Sequence, residues 1–241
     1  MRGELASLDF TALVRELKTL EGARIDKIYQ RDRDLTIHIY NPGDKKYRLF
    51  LEPGKAFLTS YKRDNPQQPP GFCMFLRKNI AGSYIDEVRQ YDFDRVLEIH
   101  TEDHIFIAEL FGQGNYILLE KDSREIKSAL EPQEWSDRAV YKGEEYEPPE
   151  PGTSPGDLTH SQLKELLGSR QIVKVLAADL GLGGVYAEEV LERAGIDKTS
   201  RSDSLDDPAL DTLLDTIHQL YRQVQDNDLA PRIYYDQEGD P

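Results

Sequence analysis

The chain has 241 residues, 38% hydrophobic and 31% charged, enough for one large or two smaller cored units with a well-charged surface. Its formal net charge is −15, which taken whole opposes nucleic acid, and its single cysteine, Cys73, excludes an intramolecular disulfide and a zinc site built on paired thiolates. No apolar run approaches the roughly 20 residues of a membrane-spanning helix, and Met1-Arg2-Gly3-Glu4 does not open a signal peptide, so a cytoplasmic protein without membrane contact is expected.

The charge is uneven along the chain. Residues 1–100 hold 17 Lys/Arg against 15 Asp/Glu, a net of +2, whereas residues 101–241 hold 13 against 30, a net of −17. Screening limits the reach of those distant acids to about 8–10 Å, so the first part has room for a local basic patch.

In chain order, Phe10, Leu13, Val14, Leu17 and Leu20 recur at helical spacing behind Asp9, a residue type that caps helix starts, and Gly22 ends the pattern. Strand-like runs follow at 23–30, 35–40, 47–51 and 56–61, with Asn41-Pro42-Gly43-Asp44 as a turn. The proline-rich stretch 65–70 cannot continue a ladder. Residues 71–80 read as a short helix with Phe72, Phe75 and Leu76 on its apolar side and Arg77-Lys78 at its end. Further strands are expected at 84–89, 95–100, 104–110 and 115–120, and turn signals about every eight to twelve residues fit a sandwich or barrel. A Pro-, Glu- and Gly-rich linker covers 144–155. Beyond Asp157 the pattern is helical, at 158–167, 171–180, 186–194 and 206–225. The chain stops in Ile233-Tyr234-Tyr235 and Asp236-Gln237-Glu238-Gly239-Asp240-Pro241, which reads as a strand cut short.

Signatures of catalysis are sparse. A Walker loop, a nucleophile elbow and a His-Glu-x-x-His helix are all missing, and no cofactor is expected. Phe111-Gly112-Gln113-Gly114-Asn115 opens a strand rather than a helix and reads as a hairpin turn. His100 and His104 flank Glu102-Asp103, which fits an exposed hairpin end better than a metal site. Gly181, Gly183 and Gly184 lie between two helical segments. They either let the backbone approach a phosphate at a helix N-terminus or simply connect two helices. Asp94-Arg95 falls where one strand ends and the next begins, and a guanidinium there has the chemistry to pair with phosphate or stack on a base. Lys62 and Arg63 at a strand end, with Arg77 and Lys78 at a helix end, are the candidates for backbone phosphates.

Several segments together resemble the NFACT family of ribosome-associated quality-control proteins. They are Ser7-Leu8-Asp9, Leu51-Glu52-Pro53-Gly54, Gly71-Phe72-Cys73-Met74-Phe75-Leu76-Arg77-Lys78, Phe93-Asp94-Arg95-Val96, Gly112-Gln113-Gly114-Asn115-Tyr116-Ile117-Leu118 and Tyr186-Ala187-Glu188-Glu189-Val190-Leu191-Glu192-Arg193-Ala194-Gly195. The resemblance implies an α+β fold: a glycosylase-like β-sandwich with flanking helices over 1–150, an all-helical helix–two-turns–helix domain over 157–225, and a truncated continuation over 226–241. It implies a binder of tRNA rather than an enzyme. In the family, the large ribosomal subunit with a stalled peptidyl-tRNA is engaged and template-free C-terminal tailing is promoted, with regions beyond this chain contributing. Asp9, Asp94 and Arg95 match the residues the family needs for tRNA engagement and tailing, and they are expected to converge. Two rivals share the fold or the family. A DNA glycosylase would need an amino-terminal proline nucleophile where Arg2 and Gly3 stand, and a fibronectin-binding adhesin would need an export signal.

Overall fold

A computed structural model describes residues 4–41, 45–135, 138–150 and 152–230. The centre of the turn expected at 41–44 and the chain end from 231 onward, most of the expected continuation over 226–241, lie outside the described residues. The chain divides into two compact units, Met1–Ala12 with Gly152–Pro241, and Leu13–Pro151. Unlike a cut at residue 150, this division groups the first twelve residues with the C-terminal ones.

Helix α1 (Ser7–Leu17) runs across the boundary and tightens into a 3₁₀ turn at Lys18–Leu20. Phe10, Val14, Leu17 and Leu20 of the predicted stripe are buried together with Leu8, while Leu13 is only half-buried. In the Leu13–Pro151 unit an antiparallel sheet follows, in the order β1 (Arg24–Arg31), β2 (Asp34–Asn41), β3 (Lys45–Glu52), β4 (Lys55–Leu58). The pairing of Ile28 with Ile37 and of Ile37 with Leu49 puts the apolar residues of alternate positions on one face, where all three are buried. β4 is shorter than the run at 56–61. The Thr59 N–H still donates to the Arg48 carbonyl (2.9 Å), but the Tyr61 N–H turns back to Thr59 Oγ1 (3.1 Å) and the chain leaves the sheet.

Helix α2 (Gly71–Ile80) lies against β1, where Cys73 Sγ (3.4 Å) and Arg77 Nε (2.7 Å) both donate to the Ile28 carbonyl. An otherwise open strand edge is thereby covered. The strand expected at 84–89 is also shortened. Tyr84 bridges back to Arg24, with the Ile25 N–H on the Ser83 carbonyl and the Ile85 N–H on the Ala23 carbonyl (both 2.9 Å). The second antiparallel sheet starts only at Glu87: β5 (Glu87–Gln90), β6 (Val96–His100), β7 (His104–Glu109), β8 (Asn115–Glu120), β9 (Ile126–Ala129).

Both faces of β6 to β8 are buried almost throughout. On one face Val96, Ile105, Ile107, Ile117, Leu119 and Ile126 form a cluster with Val140 and Tyr146. Val140 comes from a short hairpin, β10 (Gln133–Glu134) with β11 (Ala139–Val140), that the sequence pattern did not reveal. Two carboxylates share this face. Glu98 accepts from Arg89 Nε (2.5 Å), His100 Nε2 (2.9 Å) and Arg124 Nη2 (3.1 Å). Glu109 accepts both Arg138 Nη atoms (2.6 and 3.0 Å) and the Tyr146 hydroxyl (2.8 Å). His100 is therefore an interior partner of Glu98, not part of an exposed hairpin end, because its place on β6 points its ring into this face.

The other unit carries α3 (His160–Leu166), α4 (Ile172–Lys174), α5 (Gly183–Ala194) and α6 (Asp207–Gln225). A capping box of Thr159 and Gln162 starts α3, and the Asp206 side chain caps α6 through the Ala209 N–H. The helix expected over 171–180 is only α4 followed by a π-helical stretch, Val175–Asp179, where the Leu180 N–H reaches the Val175 carbonyl at 3.1 Å. No helix among the described residues is long and apolar enough to cross a membrane.

Candidate functional site

Asp9 does not cap α1 from outside, because the helix begins two residues earlier, at Ser7. From the third helical position its Oδ2 reaches back to accept the Ala6 N–H (3.0 Å), as the acidic member of a capping box does. Its Oδ1 accepts the hydroxyl of Tyr186, on the first turn of α5. Both carboxylate oxygens thus have fixed partners, and the second, 177 residues away, leaves no signal in the local pattern.

The glycine turn sits beside this contact. Gly181 (φ +70°) and Gly183 (φ +76°) are left-handed, and a Cβ on Gly183 would stand 3.1 Å from the Ala6 Cβ. Chain geometry therefore explains these two glycines without a ligand. Gly184 differs. It is exposed, outside the left-handed region, and a Cβ there meets nothing within 4 Å. Gly183→Ala is expected to cost about 1–2 kcal/mol of stability for the left-handed backbone alone, whereas Gly184→Ala leaves the melting temperature nearly unchanged. Thermal denaturation of both variants checks this, and equal losses would contradict it.

Asp94 and Arg95 lie in the turn between β5 and β6. Asp92 is left-handed (φ 44°), the Asp94 N–H donates to the Tyr91 carbonyl (3.2 Å), and Phe93 is buried beneath the turn. The Asp94 carbonyl accepts Gln90 Nε2 (2.8 Å) and its Oδ1 accepts the Arg95 N–H (2.6 Å). The Arg95 carbonyl accepts the Leu110 N–H (2.8 Å). Main-chain bonds on both sides therefore fix where the half-buried Asp94 and Arg95 side chains start.

The four expected phosphate contacts are unequal. Lys62 and Lys78 are exposed. Arg63 lies over the Phe50 ring (3.8 Å to the centroid) with Asp34 at 3.6 Å. Arg77 is tied to the Ile28 carbonyl and lies 5.3 Å from the Tyr29 ring centroid, on a recess of about 390 Å³ lined by Asp26, Lys27, Tyr29 and Ala81. Gly112 to Asn115 turn the chain between β7 and β8, where Arg33 Nη1 donates to the Gln113 and Gly114 carbonyls (3.2 and 3.0 Å). Among the described residues no group of three or more His, Cys, Asp or Glu is placed to hold a metal ion.

A family model described as NFACT N-terminal and middle domains matches residues 7–241. The chain belongs to the NFACT family. An archaeal Rqc2 homologue of Methanocaldococcus jannaschii is 32% identical over 246 residues, covering 94% of this chain and 36% of the relative. The Rqc2 homologue RqcH of Bacillus subtilis is 29% identical, covering 73% of this chain and 35% of the relative. This NFACT chain therefore spans about a third of the length of those two relatives. Among solved structures, the N-terminal part of the fibronectin/fibrinogen-binding protein from Streptococcus suis superposes with a TM-score of 0.73 at 26% identity, covering 91% of this chain and 85% of that one. A Lactococcus lactis Fpg (MutM) in complex with DNA reaches a TM-score of 0.51 at 15% identity, covering 92% of this chain and 79% of that one, a likeness of fold alone. The mixed α+β fold of the NFACT chain, with its sheets and helices, is thus shared with both of these solved structures.

Proposed function

We propose that this chain is the tRNA-binding amino-terminal part of a ribosome quality-control factor, and that it works by binding rather than by catalysis. Asp9, Asp94 and Arg95 contribute to tRNA engagement and to template-free tailing on large subunits that carry a stalled peptidyl-tRNA. Tailing and large-subunit binding belong to the whole protein, which works in the cytoplasm. The observation that carries the reading is the Asp94–Arg95 turn. A guanidinium that both pairs with phosphate and stacks on an unpaired base is mounted there on a main chain fixed from both sides. The helical unit contributes a helix–two-turns–helix arrangement in which the N-terminus of α5, with the exposed Gly184 as its second residue, faces phosphate. A Saccharomyces cerevisiae relative named ribosome quality control complex subunit 2, 34% identical over 130 residues that cover 52% of this chain and 12% of the relative, supports the quality-control reading.

The test is a titration of labelled tRNA at several salt concentrations. With about four cations meeting phosphates, the log–log slope is about −3.5, so a fourfold rise in salt lowers affinity roughly a hundredfold. Binding indifferent to salt would count against a phosphate-dominated site. The name of the Streptococcus suis relative supplies a second reading, fibronectin binding, and immobilised fibronectin belongs in the same series. Capture by fibronectin with no response to tRNA would favour that reading.

A further inference from the structure

The outer face of the first sheet holds an arrangement that the turn and helix-end sites do not use. Strand register sets Lys27 opposite His38 and His38 opposite Arg48, a straight row across three strands. Neighbouring strands are about 5 Å apart, and like charges placed opposite one another destabilise a sheet. Among the described residues no carboxylate forms an ion pair with Lys27, Arg48 or Lys62. Arg48 Nη1 donates to the Ser60 carbonyl (2.7 Å), but its buried Nε has no hydrogen-bond partner. Burial holds the His38 pKa below its ordinary value, and the charges of Arg48, Lys27 and Lys62 add to this against the opposing pull of Asp26. Lys27 and Arg48 therefore flank one imidazole, with the charge of Lys62 also acting on it, in a protein of net charge −15.

Aromatic rings surround the row. Tyr29 packs against His38 (centroids 5.0 Å apart, tilted by 56°), and Arg63 covers Phe50 in the adjacent row. The segment after β4 crosses this face, pinned by Ser60 on Arg48 and by Arg63 on Phe50. Between those anchors Tyr61 stands 81% exposed. Projecting an aromatic ring this far into water from an anchored main chain suits a stacking platform better than a core.

We propose that this face binds an unpaired stretch of RNA, with Lys27, His38, Arg48 and Lys62 meeting phosphates and Tyr61 stacking on a base. The inference rests on the RNA-binding reading above and deepens it: Lys62, one of its phosphate candidates, belongs with Lys27, His38 and Arg48 on a face distinct from the Asp94–Arg95 turn. An acidic peptide would satisfy the cations but would leave Tyr61 without a base.

The test titrates the 241-residue chain with a labelled oligouridylate, tRNA and polyglutamate. Tyr61→Ala, at an exposed position, is expected to weaken oligouridylate binding roughly five- to a hundredfold, the scale of one lost stack. Lys27→Ala with Lys62→Ala is expected to flatten the log–log salt slope by about 1.4, two phosphate contacts on a single strand. Bound oligouridylate also raises the pH at which the His38 ring titrates, followed by its NMR signals. Wild-type oligouridylate affinity in Tyr61→Ala, or polyglutamate binding as tight as oligouridylate, overturns the proposal. If tRNA binds and responds to Asp94 and Arg95 but oligouridylate does not bind, this inference falls and the proposed function stands. If neither RNA binds, both fall.

Discussion

Replacing Asp94 and Arg95 together by alanine is expected to abolish tRNA-dependent tailing in the full-length protein and to weaken tRNA binding by this chain at least about tenfold. Hydrogen bonds to a charged group contribute about 1.5–3 kcal/mol each, and a guanidinium loses both its fork of donors and its stacking plane when truncated. The fold should survive. The turn keeps its Tyr91–Val96 and Leu110–Arg95 main-chain bonds, neither of which needs either side chain. The bond from the Arg95 N–H to Asp94 Oδ1 is lost, at about 0.5–1.5 kcal/mol. Arg95→Lys separates charge from shape. It keeps the cation but not the planar fork, so an intermediate affinity is expected. Anisotropy with labelled tRNA at fixed salt, beside a melting curve, reads both quantities. A double variant that unfolds, or one that binds tRNA and supports tailing normally, would make these residues structural.

The regular parts of the fold were legible because periodicity carries them. Helix α2 and strand β8 occupy the residues that the pattern predicts, 71–80 and 115–120. The misses have local causes. β9 reads Ile-Lys-Ser-Ala, with one large apolar residue in four, and it holds through pairing with β8 and the burial of Ile126. β10 and β11 have two residues each, too few for any period to show. The π-helical bonds after α4 change which carbonyl each N–H meets without changing the residue types, so 171–180 read as one helix.

Of the candidate site, the part made by neighbours in sequence was legible and the part made by register or long-range contact was not. Asp94-Arg95 announces itself as an adjacent pair at a turn. Tyr186 on Asp9 requires the fold, as does the row Lys27–His38–Arg48, which exists only once three strands are paired in one register. The same limit hid the interior acids. Glu98 and Glu109 interrupt apolar runs, and Arg124 and Arg138, which neutralise them, lie 26 and 29 residues further on.

Glu98→Ala is expected to cost more stability than any other variant considered above, about 3–5 kcal/mol, the scale for removing one partner of a buried ion pair. The Glu98 side chain is fully buried and takes hydrogen bonds on both oxygens. Burial alone would raise its pKa, but hydrogen bonds from His100, Arg89 and Arg124 and the Arg89 charge outweigh burial and hold it at about 2. Without the carboxylate, the buried His100 ring and the 27% exposed Arg124 lose the acceptor that holds them beside the apolar cluster of Ile107 and Ile117. Arg89→Ala should cost much less, because that side chain is 44% exposed and leaves Glu98 two partners. For a unit of this size the Glu98 loss corresponds to roughly 6–20 °C in melting temperature. The pH dependence has a definite sign. A carboxyl whose folded pKa is depressed stabilises the fold fully above its unfolded value, near 4.5, and that contribution is lost as pH falls toward 2. Wild type should therefore lose stability steeply across that window, while Glu98→Ala, already lacking the contribution, follows a shallower acid limb. Parallel acid limbs, or a loss below about 1 kcal/mol, the ceiling for an exposed pair, would show that Glu98 is not the buried anchor of this sheet.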